Sequence, residues 1–333
     1  MKTALLKVNN LKVNLYTEHA AVRPVDGVSY SVAQSETVAI VGESGCGKTV
    51  MNFAPLGLMP TGVSIDVKGS IRFDGQELVG MSEHGLRLIR GKLISTIFQD
   101  PMSALNPSRL IGRQIAEVSE LHLGHTTKQA EAWALDLVKL VGISDPEYRM
   151  KQYPHELSGG LCQRVMIAIA IAAEPKLLIA DEPSTALDVT VQAQILKLLK
   201  DIQMRLNMAM VIITHDIGVV AGNADHVAVM YAGRIAEYGP VEEVLVNPKH
   251  PYTKGLISAI PRSEDPIGSP FRGLSGMPPY LEGPIRGCGF SPRCTAAIDR
   301  CSTSRPSFTQ ITNTNVLAAC HIVNQSESQG AMN

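Results

Sequence analysis

Residues 36–49 constrain this chain more than any other stretch. Glu36-Thr37-Val38-Ala39-Ile40-Val41 reads as a buried strand and runs directly into Gly42-Glu43-Ser44-Gly45-Cys46-Gly47-Lys48-Thr49. The second segment is a complete G-x-x-x-x-G-K-[ST] loop, and the apolar residues 49–59 behind it predict a helix. A strand leading into a helix feeds a parallel sheet, so the chain is expected to be an α/β protein. The glycines let successive backbone N–H groups turn inward on anionic oxygens. Lys48 can reach the β- and γ-phosphates of a nucleotide, and the Thr49 hydroxyl can ligate Mg²⁺. Gly42, Ser44, Gly45, Cys46, Gly47, Lys48 and Thr49 are therefore candidate nucleotide-binding residues.

A second cluster points from binding to hydrolysis. Residues 176–181 form an apolar run that ends in Asp181 and Glu182. A buried parallel strand reads as a continuous hydrophobic segment, and ligands lie beyond its C-terminal end. Asp181 is then placed to hold Mg²⁺, usually through water, and Glu182 to polarise an attacking water. Alone, the pair would be a solvated acidic turn; beside a phosphate loop it reads as a hydrolytic site.

Leu157-Ser158-Gly159-Gly160-Leu161-Cys162-Gln163-Arg164 opens a helical stretch, with Ser158 as candidate cap and residues 165–173 as its apolar continuation. Lying upstream of Asp181, Ser158, Gly159 and Gly160 resemble the signature motif of ABC-type ATPases. Three more landmarks fit that family. Gln99, after residues 94–98, resembles the Q-loop glutamine. Ser184-Thr185-Ala186-Leu187-Asp188 resembles the D-loop, and His215, after residues 210–214, resembles the switch histidine. The implied fold is an ABC-type P-loop ATPase core with an antiparallel β subdomain, an inserted helical subdomain and an irregular, cysteine-bearing C-terminal tail.

Composition supports an ordinary folded chain. Over 333 residues, 45% are hydrophobic and 18% charged, and the formal net charge is −1. No basic excess points to nucleic acid. The longest purely apolar run, residues 165–173, is far too short for a membrane span. Lys7 interrupts any signal-peptide core at the start, so a cytosolic setting with reduced thiols is expected.

Alternating residues over 5–40 suggest antiparallel strands leading into the phosphate loop, and residues 69–74 another strand before the turn Phe73-Asp74-Gly75-Gln76. Residues 100–165 turn helix-rich, notably 111–123 and 128–141, and resemble the helical subdomain of ABC ATPases. Apolar strands resume at 177–181, 210–214 and 227–231. Residues 261–293 hold many prolines and glycines and read as irregular, and 324–330 as a frayed end. The expected division is an ATPase domain over 1–250, its helical subdomain at about 100–165, and a tail over 251–333.

Phe98-Gln99-Asp100-Pro101-Met102-Ser103-Ala104-Leu105-Asn106-Pro107 closely resembles the Q-loop region of oligopeptide and dipeptide permease ATPases. So do His250-Pro251-Tyr252-Thr253-Lys254-Gly255-Leu256 and Gly287-Cys288-Gly289-Phe290-Ser291-Pro292-Arg293-Cys294. This subfamily also serves nickel and other small solutes. Departures from its pattern are mild: Ser35 where glycine is common, Leu161 where the wider family often has glutamine, and Thr295 where proline is frequent.

The resemblance implies a mechanism. Lys48 and the loop amides hold the phosphates of ATP, while Thr49, Gln99 and Asp181 surround Mg²⁺. Glu182, Gln99 and His215 serve catalysis, and Tyr16 stacks on adenine. Ser158, Gly159, Gly160 and Asp188 contact nucleotide across a dimer. That arrangement requires a second, related ATPase subunit as a heterodimeric partner, two transmembrane permease subunits and an extracytoplasmic solute-binding protein. The chain would then be the peripheral ATP-hydrolysing subunit, on the cytoplasmic face of the inner membrane, of an importer for di- or oligopeptides. The alternative is a soluble ABC ATPase with no transporter; a single phosphate loop and no heptad run favour the importer.

Four of the six cysteines, Cys288, Cys294, Cys301 and Cys320, fall in the tail. Their spacing matches neither a zinc ribbon nor a bacterial ferredoxin run, which leaves metal binding or plain thiols. The subfamily resemblance implies a structural 4Fe–4S cluster on these four, with Zn²⁺ as the alternative.

Overall fold

The computed structural model describes residues 3–17, 20–60, 62–183, 188–260 and 273–324. The D-loop residues Ser184, Thr185, Ala186 and Leu187, and much of the proline-rich stretch and the chain end, lie outside them. In chain order the strands are β1 (Ala4–Tyr16), β2 (Ala21–Ala33), β3 (Thr37–Val41), β4 (Ser64–Phe73), β5 (Gln76–Glu77), β6 (Ile94–Ile97), β7 (Leu177–Asp181), β8 (Ala209–Thr214), β9 (His226–Tyr231), β10 (Arg234–Pro240), β11 (Thr309–Gln310) and β12 (Leu317–Ala318). The α-helices are α1 (Lys48–Phe53), α2 (Glu83–Ile89), α3 (Pro101–Ala104), α4 (Ile111–Leu123), α5 (Thr127–Leu140), α6 (Pro146–Arg149), α7 (Gly159–Ile171), α8 (Val189–Leu206), α9 (Val241–Val246), α10 (Pro251–Ser258) and α11 (Asp299–Thr303).

The elements gather into two compact units. One comprises Ala4–Val32, Thr37–Gly80 and Thr214–Asn333; the other comprises Met1–Thr3, Ala33–Glu36 and Met81–Ile213.

The first unit holds a sheet in the order β2-β1-β4-β5, with β4 antiparallel to both β1 and β5. The β4–β5 turn has Asp74 and Gly75 both at positive φ, as a tight two-residue hairpin requires. A second set of strands runs β11-β12-β10-β9-β3, in which β3 and β9 are parallel and β10 is antiparallel to β9 and β12. Alternate residues Ala39, Val41, Val227, Val229 and Tyr231 pack into a cluster that also takes in Tyr252, Phe290 and Val316 from the C-terminal region. The aromatic contacts are close: ring centroids of Tyr231 and Tyr252 are 4.5 Å apart, and Tyr252 and Phe290 are 5.3 Å apart. The proline-rich tail, with few apolar residues to spare, thus obtains its core by sharing that of β3 and β9.

In the second unit, β6, β7 and β8 are parallel in the order β8-β7-β6. The two long periodic segments form α4 and α5. Gly124 at φ 70 caps α4, and Thr126 with Gln129 forms a capping box on α5. Ile115, Ala134, Val138, Val165, Ile167, Leu178 and Ile212 lie in one buried cluster, and Trp133 Nε1 donates to the Ala172 carbonyl at 2.9 Å.

One local expectation changes. The helix read over 49–59 stops at Phe53 and continues as a 3₁₀ turn, Ala54–Leu56, closed by Gly57 at φ 65. Pro55 lacks the N–H an α-helix needs, and Gly57 supplies the left-handed stop. Ser35 sits at positive φ, 60°, where glycine would be unstrained.

Candidate nucleotide site

The first unit presents the phosphate loop. β3 is buried along its whole length and delivers the loop at its C-terminal end. The loop's path is sterically forced. Gly47, at φ 102, caps α1, and a Cβ there would stand 1.9 Å from the Pro24 carbonyl oxygen. A Cβ on Gly42 would stand 2.1 Å from the Met230 carbonyl oxygen. Lys48 is buried and its Nζ donates to the carbonyls of Gly42 at 2.7 Å and Glu43 at 3.0 Å. Ser44, Gly45 and Thr49 are exposed. Cys46 is buried, and burial pushes its thiol up from its ordinary range. Tyr16 ends β1 with 45% of its surface exposed, leaving an aromatic face accessible. His215 is also exposed, just beyond β8.

Two residues that sequence reasoning did not assign hold Glu43, and a third, Tyr231, holds one of them. Arg293 spans both carboxylate oxygens, Nη1 to Oε2 at 2.7 Å and Nη2 to Oε1 at 2.9 Å. Tyr231 accepts from Arg293 Nη1 at 3.2 Å, and the Glu43 N–H donates to the Tyr252 hydroxyl at 3.1 Å. Tyr252 and Arg293 lie within the two subfamily motifs, so a signal was present without a physical reason for it.

In the second unit, Asp181 is buried at the end of β7, and Glu182 comes next at φ 46. A non-glycine residue in the left-handed region costs about 1–2 kcal/mol, and such conformations concentrate at functional sites. The Glu182 N–H donates to the Ile213 carbonyl at 2.8 Å, which anchors the strained residue to β8. Gln99 Nε2 donates to Glu182 Oε2 at 3.0 Å, so two side chains distant in sequence meet here.

Ser158 occupies the N-cap position of α7 in extended conformation, but its side chain makes no cap hydrogen bond. Among the described residues no packing demands Gly159 or Gly160: a Cβ at 159 would meet nothing within 4 Å, and one at 160 only Val191 Cγ1 at 3.5 Å. Asp188 caps α8, its Oδ1 accepting from the Val191 N–H at 2.9 Å.

The tail cysteines do not bear out the metal expectation. Among the described residues no group of three or more His, Cys, Asp or Glu could hold a metal ion, so neither a 4Fe–4S cluster nor Zn²⁺ is assigned to Cys288, Cys294, Cys301 and Cys320. The four do line one cavity, but its volume is about 10 Å³, at the lower limit for a single water. Cys288 and Cys294 pack against the apolar cluster, and burial pushes both thiols up from their ordinary range. They serve as small packing residues.

Comparison with known proteins agrees with this geometry. Residues 25–185 match the family described as ABC transporter, and residues 236–301 match the oligopeptide/dipeptide transporter C-terminal region. The chain is 45% identical to the oligopeptide transport ATP-binding protein AppD of Bacillus subtilis, over 92% of this chain and 93% of AppD. It is 47% identical to the dipeptide transport ATP-binding protein DppD of the same organism, over 92% and 91%. With the oligopeptide transport ATP-binding protein OppD of Escherichia coli it shares 46% identity, over 91% and 89%. Among solved structures it resembles the dimeric ATP-binding cassette MJ0796 bound to ADP and Pi, with TM-score 0.63 and 25% identity, covering 71% of this chain and 98% of that one. It also resembles cbiO1 of Clostridium perfringens, part of the ABC transporter complex cbiONQ, with TM-score 0.62 and 28% identity, covering 74% and 92%. The fold and the site define a nucleotide-binding cassette. The chain belongs to the ABC transporter family, in its branch of oligopeptide and dipeptide transport ATP-binding proteins. No helix among the described residues is long and apolar enough to cross a membrane.

Proposed function

We propose that this chain is the ATP-hydrolysing subunit of an ABC importer for di- or oligopeptides. The observation that carries this reading is the pairing of both family segments with relatives that bear the same names along nearly their whole lengths. The functional division is an ATPase domain over 1–250, including a helical subdomain at about 100–165, and a tail over 251–333. In this reading the chain lies at the cytoplasmic face of the membrane and works with two permease subunits, a solute-binding protein and a second, related ATPase.

Phosphoryl transfer to water needs positioning and charge neutralisation more than covalent chemistry. Lys48 and the amides of residues 44–49 hold the phosphates, and Tyr16 stacks on the base. Thr49, Gln99 and Asp181 offer hard oxygen donors that suit Mg²⁺, which neutralises charge on the phosphates when bound. Glu182, steadied by Gln99, orients and deprotonates the water, and His215 meets the γ-phosphate. Ser158, Gly159, Gly160 and Asp188 act on nucleotide held by the neighbouring subunit; the exposed position of Gly159 supports this, since no packing among the described residues explains the missing side chain.

Reconstitution with the cognate permease and solute-binding subunits tests the reading. The expected result is ATP hydrolysis that rises with added peptide and falls to a low level for the isolated chain. Full, peptide-independent turnover by the isolated chain would favour a soluble ATPase instead.

A further inference from the structure

Arg293 is a fully committed side chain. Its side chain is 5% exposed. Nε donates to the Ser275 carbonyl at 2.9 Å; Nη1 donates to Glu43 and to the Tyr231 hydroxyl; Nη2 donates to Glu43 and to the Leu274 carbonyl at 3.3 Å. These contacts occupy the five donors a guanidinium possesses. Its carbon Cζ also lies 5.8 Å from the centre of the Tyr231 ring. The group is thus fixed to the tail backbone on one side and to a phosphate-loop carboxylate on the other.

Glu43 is gripped at a second point, because its N–H goes to the Tyr252 hydroxyl. That amide is therefore committed to the tail, while the Glu43 carbonyl accepts from the Cys46 N–H at 3.3 Å. Tyr252 is itself held rigidly. It is fully buried, and α10, on which it sits, is capped by His250 Nδ1 accepting from the Tyr252 N–H at 3.0 Å. The Lys249 and His250 N–H groups in turn donate to buried Glu237 at 2.7 and 2.9 Å. Both subfamily motifs of the tail thereby converge on one loop residue.

We infer that Arg293 and Tyr252 are positioning residues for the phosphate loop, through which the C-terminal tail sets the affinity for nucleotide. Holding Glu43 fixes the Gly42 and Glu43 carbonyls, and these carbonyls hold the Lys48 ammonium. A lysine could not replace the arginine, since a point charge cannot span both oxygens and still hold the tail carbonyls. This role rests on the reading of residues 42–49 as the nucleotide site.

The test is ATP affinity of the full chain by titration calorimetry, at a temperature where thermal melts show each variant folded. Arg293→Gln and Glu43→Ala remove the same clamp, so each weakens ATP binding about five- to tenfold. The double variant should be no weaker than the weaker single one, because the two changes are one event. Arg293→Lys should fall between Arg293→Gln and wild type. Tyr252→Phe keeps the buried ring and removes only the hydroxyl; it should weaken binding about threefold. If Arg293→Gln does not fold, Glu43→Ala and Tyr252→Phe still decide the matter. Unchanged ATP affinity in those two, or effects that multiply in the double variant, would overturn the inference. Wild type that binds no ATP would instead overturn the assignment of the nucleotide site.

Discussion

Three loop glycines differ in why each must be glycine, and that difference predicts three different costs. Gly45 lies at φ 77 with open space where a Cβ would point. Gly42 has ordinary backbone, but its Cβ would stand 2.1 Å from a carbonyl oxygen. Gly47 combines both problems, at φ 102 and 1.9 Å from the Pro24 oxygen. Placing an L-residue in the left-handed region costs about 1–2 kcal/mol. Forcing a methyl against backbone that cannot swing aside costs about 1–3 kcal/mol. Gly45→Ala should therefore lose about 1–2 kcal/mol, Gly42→Ala about 1–3 and Gly47→Ala about 2–5, a large part of the roughly 5–15 kcal/mol that typically holds a domain together. Urea unfolding monitored by circular dichroism, without nucleotide, measures the three losses. Equal losses for Gly45→Ala and Gly47→Ala would refute the steric reasoning, because the Pro24 contact would then carry no energy.

Glu182→Gln should leave ATP affinity within about twofold of wild type while steady-state hydrolysis in the assembled transporter falls by about 10²-fold or more, the scale of a lost general base; a near-normal turnover rate would remove Glu182 from catalysis. Gly159→Leu, by contrast, should fold with wild-type stability, since a Cβ there meets nothing within 4 Å, yet abolish hydrolysis in the complex; a matching loss of melting temperature would show that the surface is covered within the chain. Stability should also depend on pH through His250, whose burial lowers its pKa to about 4. The unfolded chain then binds more protons than the folded one between about pH 4 and 6.5, so stability is full above that window and declines as pH falls through it. The loss attributable to this residue is about 2 kcal/mol from pH 8 to pH 5, and a His250→Gln variant with the same decline in urea midpoint would point to other groups.

Much of the core is legible in the sequence because its signals are local. The apolar runs at 37–41, 177–181 and 210–214 form β3, β7 and β8 within a residue or so, since a buried parallel strand needs only continuous hydrophobicity and a length limit. α4 is readable from its apolar period and from Gly124, which stops it. The short α1 is harder to see, because the apolar character of residues 49–59 masks the effect of Pro55 and Gly57. Ser158 has the residue type of a cap, yet its hydroxyl makes no cap bond. The cysteine tail misleads for a related reason: four thiols in one segment suggest a ligand set, but whether they converge around space for an ion depends on packing.

Taken alone, then, the sequence determined the chemistry of the loop, the order of the nucleotide motifs and the α/β class, because each of these is encoded in residues adjacent along the chain. Only the tertiary structure decided that Glu182 sits at strained φ beside Gln99, that the tail shares the core of β3 and β9, that its cysteines enclose almost no space, and that Arg293 and Tyr252 grip Glu43. Those are contacts between residues far apart in sequence. Their partners are chosen by burial, donor geometry and steric fit, which no spacing of letters specifies.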